Sequence, residues 1–322
     1  MKDLIILGNG MAGMTAALYA KRANLDFKLV GKDEYDFGQI GNAILVENFP
    51  CAASQSGFEL ASSLHDQLEA NDIKVEEHEV TKITQAMINH YGFGFHIDYA
   101  DGTNDFCKAV IYALGARHRQ LNCEIGEDVK LHYCALCDGA LYKDKYVSVI
   151  GGGDVAFTQA EYLSKICKQV IIVMCDENVT AAASTFERVS KIKNISIEFN
   201  CPVTKIERKK MKDMPIYVAS KAEDFGYILY LDNTEYGTFC GIDGIFIAIG
   251  MIPNTQSIVQ SSPIITDTLG YIQADENCRT KIGGFFAAGD VRAKSVRQAL
   301  TAAADGANAV NSVITYLKRA DK

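Results

Sequence analysis

The chain has 322 residues, enough for about two domains, and 48% of them are apolar with a mean hydropathy of 0.00, which supports a buried core and argues against disorder. Thirty-two basic and 40 acidic side chains leave a net charge of −8, a balance that offers no electrostatic footprint for nucleic acid or an anionic membrane. No uninterrupted apolar run of about 18 residues predicts a membrane span, and the short run after Met1-Lys2-Asp3 is too brief for a signal peptide, so a cytoplasmic protein is expected.

Leu4-Ile5-Ile6-Leu7 reads as a short buried strand, followed by Gly8-Asn9-Gly10-Met11-Ala12-Gly13 and by helix formers from Met14 to Ala23. Phe27 to Val30 reads as a second strand, which completes a βαβ unit of about 30 residues. Leu60, Leu64 and Leu68 recur every fourth residue and predict an amphipathic helix over 57–70. Phe93, Phe95, Ile97 and Tyr99 alternate with polar or small residues, and Asp101-Gly102 turns that strand into another over 105–112.

The opening theme then repeats. Tyr146 to Ile150 predicts a strand, Gly151-Gly152-Gly153-Asp154-Val155-Ala156 a turn, the residues up to about 167 a helix, and Val170 to Met174 the next strand. A hairpin is expected over roughly 203–240, buried strands at Ile242 to Ile249 and Phe285 to Asp290, and a long helix from about Ser295 to Leu317.

The first glycine turn has a mechanism. Gly8 permits the tight turn, Gly10 lets the backbone approach a pyrophosphate, and Gly13 lets the helix pack on its strand. Such a unit often ends in an acidic residue for the adenosine ribose. Here that position is Gly31, with Asp33 and Glu34 nearby.

Cys134-Ala135-Leu136-Cys137-Asp138 lies between the two dinucleotide folds. Two thiols at this spacing suit a reversible disulfide, and Asp138 supplies a carboxyl for the proton that exchange requires. The rival reading is half of a zinc site. Zinc needs two more ligands, and neither a second CxxC nor an HxxxH accompanies His132, so no metal is expected. The other eight cysteines (51, 107, 123, 167, 175, 201, 240 and 278) read as buried small hydrophobes. Histidines 65, 78, 90 and 96 read as structural or exposed, Arg208-Lys209-Lys210-Met211-Lys212 as a solvated hairpin, and Arg292 and Lys294 as surface charges.

The chain resembles the low-molecular-weight thioredoxin reductases over essentially its whole length. The resemblance is carried by Gly8–Gly13, Val46-Glu47-Asn48-Phe49-Pro50, Tyr112-Ala113-Leu114-Gly115, Cys134–Gly139, Gly151–Ala156, Ile249-Gly250-Met251-Ile252-Pro253-Asn254-Thr255, and Ala287–Val291 with Arg297-Gln298-Ala299. It implies that Gln39, Asn48, Asp290 and Gln298 contact FAD, with Arg297 supporting the cofactor. It implies further that Cys137 faces the flavin, that Cys134 attacks the disulfide of thioredoxin, and that Asp138 is the acid/base. The fold expected is α/β, two Rossmann-like three-layer domains with the second inserted into the first. The FAD domain spans 1–114 and 244–322, and the inserted domain, 115–243, carries the disulfide. Crossovers near Gly115 and Ile242 let the domains swivel, and a homodimer is expected.

The electron donor is where the chain departs from the resemblance. Members that use NADPH carry a His-Arg-Arg run after the second strand of the nucleotide domain and a further Arg beyond it. Here the matching residues are Met174-Cys175-Asp176 and Thr180. Asp176 repels a 2′-phosphate and suits a free ribose hydroxyl. Gly151, Gly153 and Ala156 remain as a tentative second nucleotide site with Asp176. NADH therefore ranks first as donor, ferredoxin second, as in relatives that have abandoned nicotinamide, and NADPH third. A rival from another class is a flavin-bound redox sensor without turnover.

Overall fold

The structure, a computed structural model, describes the whole chain except residues 44–45, 47, 53–54, 88–92, 211–224, 233–237, 257–264 and 321–322. Glu47, His90, Met211 and Lys212 therefore lie outside the described residues. The chain divides into two compact units, Met1–Arg117 with Ile252–Lys322, and His118–Met251.

The first unit opens with β1 (Lys2–Leu7), α1 (Met11–Arg22) and β2 (Phe27–Gly31). It continues through α2 (Gly57–Glu69), β3 (Val75–Glu77), β4 (Val80–Met87), β5 (Phe93–Tyr99) and β6 (Asn104–Tyr112). Among the described residues these strands lie in the order β3-β2-β1-β6-β5-β4. β1 pairs in parallel with both β2 and β6, whereas β5 runs antiparallel to β4 and β6. Period-two alternation sorts the core. Leu4 and Ile6 face α1 and the C-terminal helix, while Ile5 and Leu7 pack on the opposite side with Ile97, Val110 and Phe285. Burial on both faces is why β1 reads as an unbroken apolar run.

The second unit contains β7 (Glu124–Ile125), β8 (Leu131–His132), the single-turn α3 (Ala135–Asp138), β9 (Tyr146–Ile150), α4 (Asp154–Ser164), β10 (Gln169–Val173), α5 (Ala183–Ser190) and β11 (Ile195–Glu198). β12 (Val203–Lys210), β13 (Phe225–Leu231), β14 (Thr238–Ile242) and β15 (Gly244–Ile247) follow. The parallel sheet runs β11-β10-β9-β15-β8, and a second sheet runs β14-β13-β12-β7. Back in the first unit from Ile252 onward, β16 (Phe285–Ala287) pairs with β6, and the unit closes on α6 (Ala299–Ala320).

The sequence reading put Gly244 onward in the first domain. The structure assigns β15 to the second unit, because Gly244 to Ile247 pair in parallel with Val147 to Ile150. The junctions accordingly fall at 117/118 and 251/252. A buried apolar strand ending in glycine suits either fold, so the residues alone do not say which sheet it joins. α6 also begins later than Ser295. The Thr301 hydroxyl accepts from the Gln298 N–H at 3.1 Å and donates to the Val296 carbonyl at 3.1 Å, which holds the preceding residues out of the helix. Among the described residues no helix is long and apolar enough to cross a membrane.

Candidate redox centre and nucleotide turns

The three glycines of the first turn do different work. Gly8 has φ +105°, and a Cβ there would stand 2.4 Å from the Ala113 carbonyl oxygen. A Cβ on Gly13 would come within 1.7 Å of the Gly8 carbonyl oxygen. These two glycines let strand, turn and helix close on one another. Gly10, the N-cap of α1, has open space instead: among the described residues its Cβ would meet the Phe37 carbonyl oxygen alone, at 3.4 Å. The free N–H groups of a twelve-residue helix therefore adjoin uncrowded backbone, the arrangement that admits a phosphate.

Asn9 lies beside this turn and is 5% exposed. Its Nδ2 donates to the carbonyls of Asp33 at 2.8 Å and Glu34 at 3.1 Å. A Cβ on Gly31 would stand 2.4 Å from Asn9 Oδ1, so the asparagine takes the room that a side chain at 31 would need. Glu34 in turn approaches the buried His65, whose Nε2 lies 3.4 Å from Glu34 Oε1 and whose ring packs on Tyr35 and Phe37. Of the two places expected for this histidine, structural or exposed, the structure excludes the second: His65 is 4% exposed.

Of the residues assigned to FAD, Asn48 and Gln298 meet across the chain, Asn48 Nδ2 donating to Gln298 Oε1 at 3.1 Å. Gln39 donates to the Ala116 carbonyl. Asp290, in the turn after β16, keeps Oδ1 buried without a hydrogen-bond partner among the described residues, and Lys294 Nζ lies 3.6 Å from it. Burial pushes this carboxyl up, while Lys294 and Arg297 draw it down. The Arg297 guanidinium stacks 3.9 Å from the Tyr271 ring centroid, and its buried Nε also lacks a partner among the described residues. An orphaned acceptor and an orphaned donor, together with the open Gly10 turn, fit a polar cofactor.

Arg292 and Lys294 are not surface charges. Their side chains are 12% and 7% exposed and converge on Asp305, itself 6% exposed, at 2.8 and 3.1 Å. Asp305 also accepts from the Gly289 N–H at 3.0 Å, which fixes the turn that carries Asp290. Sequence reasoning missed Asp305. Its signal was an acidic residue inside the apolar stripe Ala302, Ala309 and Val313 of α6.

In the second unit Cys134 and Cys137 form a disulfide, with Cα atoms 5.3 Å apart. Gln159 of α4 holds the backbone on both sides of Cys134: Nε2 donates to the Tyr133 carbonyl and Oε1 accepts from the Ala135 N–H, each at 3.2 Å. Asp138, four residues after Cys134, is buried, and its Oδ1 has no partner among the described residues. Among the described side chains the other cysteines divide, that of Cys240 lying outside them. Cys107, Cys167, Cys201 and Cys278 are buried, but Cys51 and Cys175 are exposed and Cys123 is half-buried, so the reading as core hydrophobes fails at these three.

The second glycine turn repeats the first in part. Gly151 has φ +144°, with its missing Cβ facing the Ala248 carbonyl oxygen at 2.4 Å, and Ala156 is fully buried below it. Around Gly153 a Cβ would meet Thr180 Oγ1 at 3.4 Å, and the buried Met174 covers Gly152. Asp176 is exposed and its Oδ1 accepts from the Asn178 N–H at 2.8 Å. Burial and the adjacent Asp176 push the Cys175 thiol up.

Residues 2–306 match the pyridine nucleotide-disulphide oxidoreductase family. The thioredoxin reductase of Mycoplasma genitalium is 35% identical over 315 residues, covering 97% of this chain and 94% of that protein. That of Listeria monocytogenes is 32% identical over 319 residues, covering 98% and 94%. The crystal structure of thioredoxin reductase from Streptococcus pyogenes superposes with a TM-score of 0.83 at 32% identity, covering 99% of each chain. The chain therefore belongs to the pyridine nucleotide-disulphide oxidoreductases and, among them, to the low-molecular-weight thioredoxin reductases. It is a flavoprotein oxidoreductase of two Rossmann-like domains that acts on a sulfur group.

Proposed function

We propose that this protein reduces the disulfide of thioredoxin, with NADH as electron donor, FAD as the carrier and Cys134–Cys137 as the redox disulfide. The observation that carries the reading is that disulfide, set beside a buried carboxyl with a free oxygen at Asp138. In the reduced enzyme the Cys134 thiolate attacks one sulfur of the partner disulfide. The partner S–S bond breaks, and its leaving sulfur takes a proton from Asp138. The Cys137 thiolate then attacks Cys134, reforms the enzyme disulfide and releases the second partner thiolate. Two electrons thus pass from the dithiol to the partner.

The first turn, through Gly8, Gly10 and Gly13, would hold the pyrophosphate of FAD, with Gln39, Asn48, Asp290, Arg297 and Gln298 around the rest. When bound, FAD supplies a carrier that accepts electrons from the donor and passes a pair to the disulfide. Gly151, Gly153 and Ala156 would receive the nicotinamide nucleotide, and the Asp176 carboxylate disfavours NADPH. A second reading, ferredoxin as donor, is supported by the hydrogen bonds that draw Thr180 and Ala181 onto the Gly152 carbonyl at 3.0 and 3.2 Å, which crowd that turn. The protein would be cytoplasmic, and a homodimer is the assembly proposed.

Anaerobic titration of the flavin with NADH, NADPH and reduced ferredoxin, followed by steady-state reduction of thioredoxin disulfide, tests the whole path. NADH should bleach the flavin and support turnover. Cys137→Ser should stop protein-disulfide reduction with flavin retained, and Cys134→Ser should leave a Cys137 thiolate free to give a charge-transfer band with the flavin. Full activity in either variant overturns the disulfide assignment. Flavin that is reduced by a donor but supports no turnover of thioredoxin disulfide in the wild type would favour a flavin-bound redox sensor instead.

A further inference from the structure

The redox disulfide adjoins a buried polar chain that the exchange just described leaves unused. His132, at the end of β8, is 2% exposed. Its Nδ1 lies 3.0 Å from Asp138 Oδ2, and its Nε2 lies 2.6 Å from the Tyr142 hydroxyl. The imidazole is tilted against Phe246 and edge-on to Tyr142, both at 5.2 Å between centroids. Tyr142 is itself fixed, since its ring fills the room left by the missing Cβ of Gly244, which would stand 2.4 Å from Cε1. Packing on these sides locks the ring plane, so the two nitrogens are committed to different partners.

The polarity of the chain follows from Tyr142. Burial, with smaller contributions from Tyr227, Asp138, Asp243 and Cys167, pushes its hydroxyl far above the ordinary phenol range. The hydroxyl therefore stays protonated. Asp243 Oδ2 is occupied by the Tyr146 N–H at 2.8 Å, and burial pushes the Cys167 thiol up to about 12, so it stays neutral. Toward α4, the neighbour of the disulfide loop is the neutral Gln159. A Tyr142 hydroxyl that donates to Nε2 leaves the single proton of a neutral imidazole on Nδ1, facing Asp138. On the imidazolium, Nε2–H donates to the hydroxyl oxygen and Nδ1 still faces Asp138 with a proton. The contact from Nδ1 to Asp138 Oδ2 is off the N–H axis, since Nδ1 has no hydrogen-bond partner among the described residues, and the other carboxyl oxygen, Oδ1, has none either. The pair is at ion-pair distance with room to realign.

We propose that His132 is a positioning residue for Asp138, and that the His132–Asp138 pair, anchored by Tyr142, carries the proton of the disulfide exchange. The pair takes the proton of the Cys134 thiol as the attacking thiolate forms, and returns it to the leaving sulfur of the partner. No net proton is consumed in that half-reaction. The imidazole, 3.0 Å from the carboxyl, gives the proton a second place to reside between the two sulfurs. The inference rests on the reading of Asp138 as acid/base.

The test uses the FAD-loaded enzyme, reduced anaerobically with dithionite so that the donor plays no part. The reduced enzyme is mixed with hydroxyethyl disulfide, whose alkyl thiolate must be protonated to leave well, and with an aryl disulfide, dithiobis(nitrobenzoate), whose thiolate leaves unaided. His132→Gln should slow the alkyl disulfide by about tenfold or more, within the range of general acid catalysis. It should also remove one ionisation from the pH profile of that reaction, yet slow the aryl disulfide far less, because thiolate formation is common to both disulfides and leaving-group protonation is not. Tyr142→Phe should produce a weaker form of the same contrast with flavin absorbance intact. Equal slowing of both disulfides, or no slowing of either, overturns the proposal. Asp138→Asn separates the two levels: if it too spares the alkyl disulfide, the acid/base reading of Asp138 has failed. If Asp138→Asn slows it and His132→Gln does not, the failure is confined to His132.

Discussion

Thr180 donates twice to the carbonyl oxygen of Gly152, from its backbone N–H at 3.0 Å and from Oγ1 at 3.3 Å. The segment between β10 and α5 is thereby drawn onto the second glycine turn, and Asp176 rides on it. A 2′-phosphate carries nearly two negative charges and would have to approach this carboxylate. Each 1.4 kcal/mol lost is about a factor of ten in affinity, and loss of a charge-assisted contact together with added repulsion should cost NADPH roughly two powers of ten. With NADH as donor, Asp176→Ala should weaken it, and Cys175→Arg with Asp176→Arg should shift preference toward NADPH. With ferredoxin as donor these changes are silent. Flavin bleaching under anaerobic titration reads all three cases, and rapid, saturable bleaching of the wild type by micromolar NADPH refutes the argument.

The two glycines Gly10 and Gly13 should separate binding from folding. Gly10→Val pushes a branched side chain into the space open in front of α1, and we expect folded protein without bound flavin. Gly13→Ala sets a Cβ against backbone 1.7 Å away, which nothing nearby can relieve by changing rotamer. Overpacking of this kind costs about 1–3 kcal/mol or more, so this variant should lose melting temperature as apoprotein. Flavin absorbance and thermal melts followed by circular dichroism distinguish the two. Stoichiometric flavin in the Gly10→Val protein would sink the assignment of the first turn.

Asp305→Ala should be the most damaging single change in the first unit outside the apolar core. It strands two buried cations, and breaking a buried pair by removing one partner costs about 3–5 kcal/mol. Urea unfolding of the apoprotein measures it. A loss below about 1 kcal/mol, the size of a surface pair, would show that the cluster is solvated.

Asp290 should oppose folding of the apoprotein at neutral pH. Its folded-state pKa is raised by burial above the ordinary carboxylate value. The penalty is therefore absent below the unfolded pKa, grows as pH rises through the window between the two values, and is constant above the folded one. Asp290→Asn should make the apoprotein more stable than wild type at pH 7, with the advantage vanishing near pH 4, while flavin affinity falls. Denaturant midpoints across pH supply the check. An advantage independent of pH would mean that the carboxyl is solvated.

Much of this could be read from the residues. The paired βαβ units, the β5–β6 hairpin and the spacing of Cys134 and Cys137 each rest on local pattern, and local pattern survives in the fold. What escaped depends on partners distant in the chain. Arg292 and Lys294 look like surface charges until α6 brings Asp305 beside them. The alternation of Ile245 and Ile247 says that a strand is buried but not that β9 is its neighbour. His132 looks like an incomplete metal ligand until Tyr142 takes its other nitrogen. Cys51 and Cys175 sit in segments whose exposure follows from loop paths rather than from composition.

Asn9 and Gly31 make the order of mutational steps matter. A carboxylate cannot be added at position 31 in one move, because its Cβ would stand 2.4 Å from Asn9 Oδ1, and Asn9 is held by two carbonyls at 2.8 and 3.1 Å. Asn9 must shrink first, and shrinking it releases the Asp33–Glu34 turn. The two positions are therefore epistatic: each is neutral ground for the other in one sequence of changes and a barrier in the reverse. A lineage or a directed library that samples position 31 alone will find glycine retained there for a steric reason unrelated to ribose recognition, and will open that position only after passing through position 9.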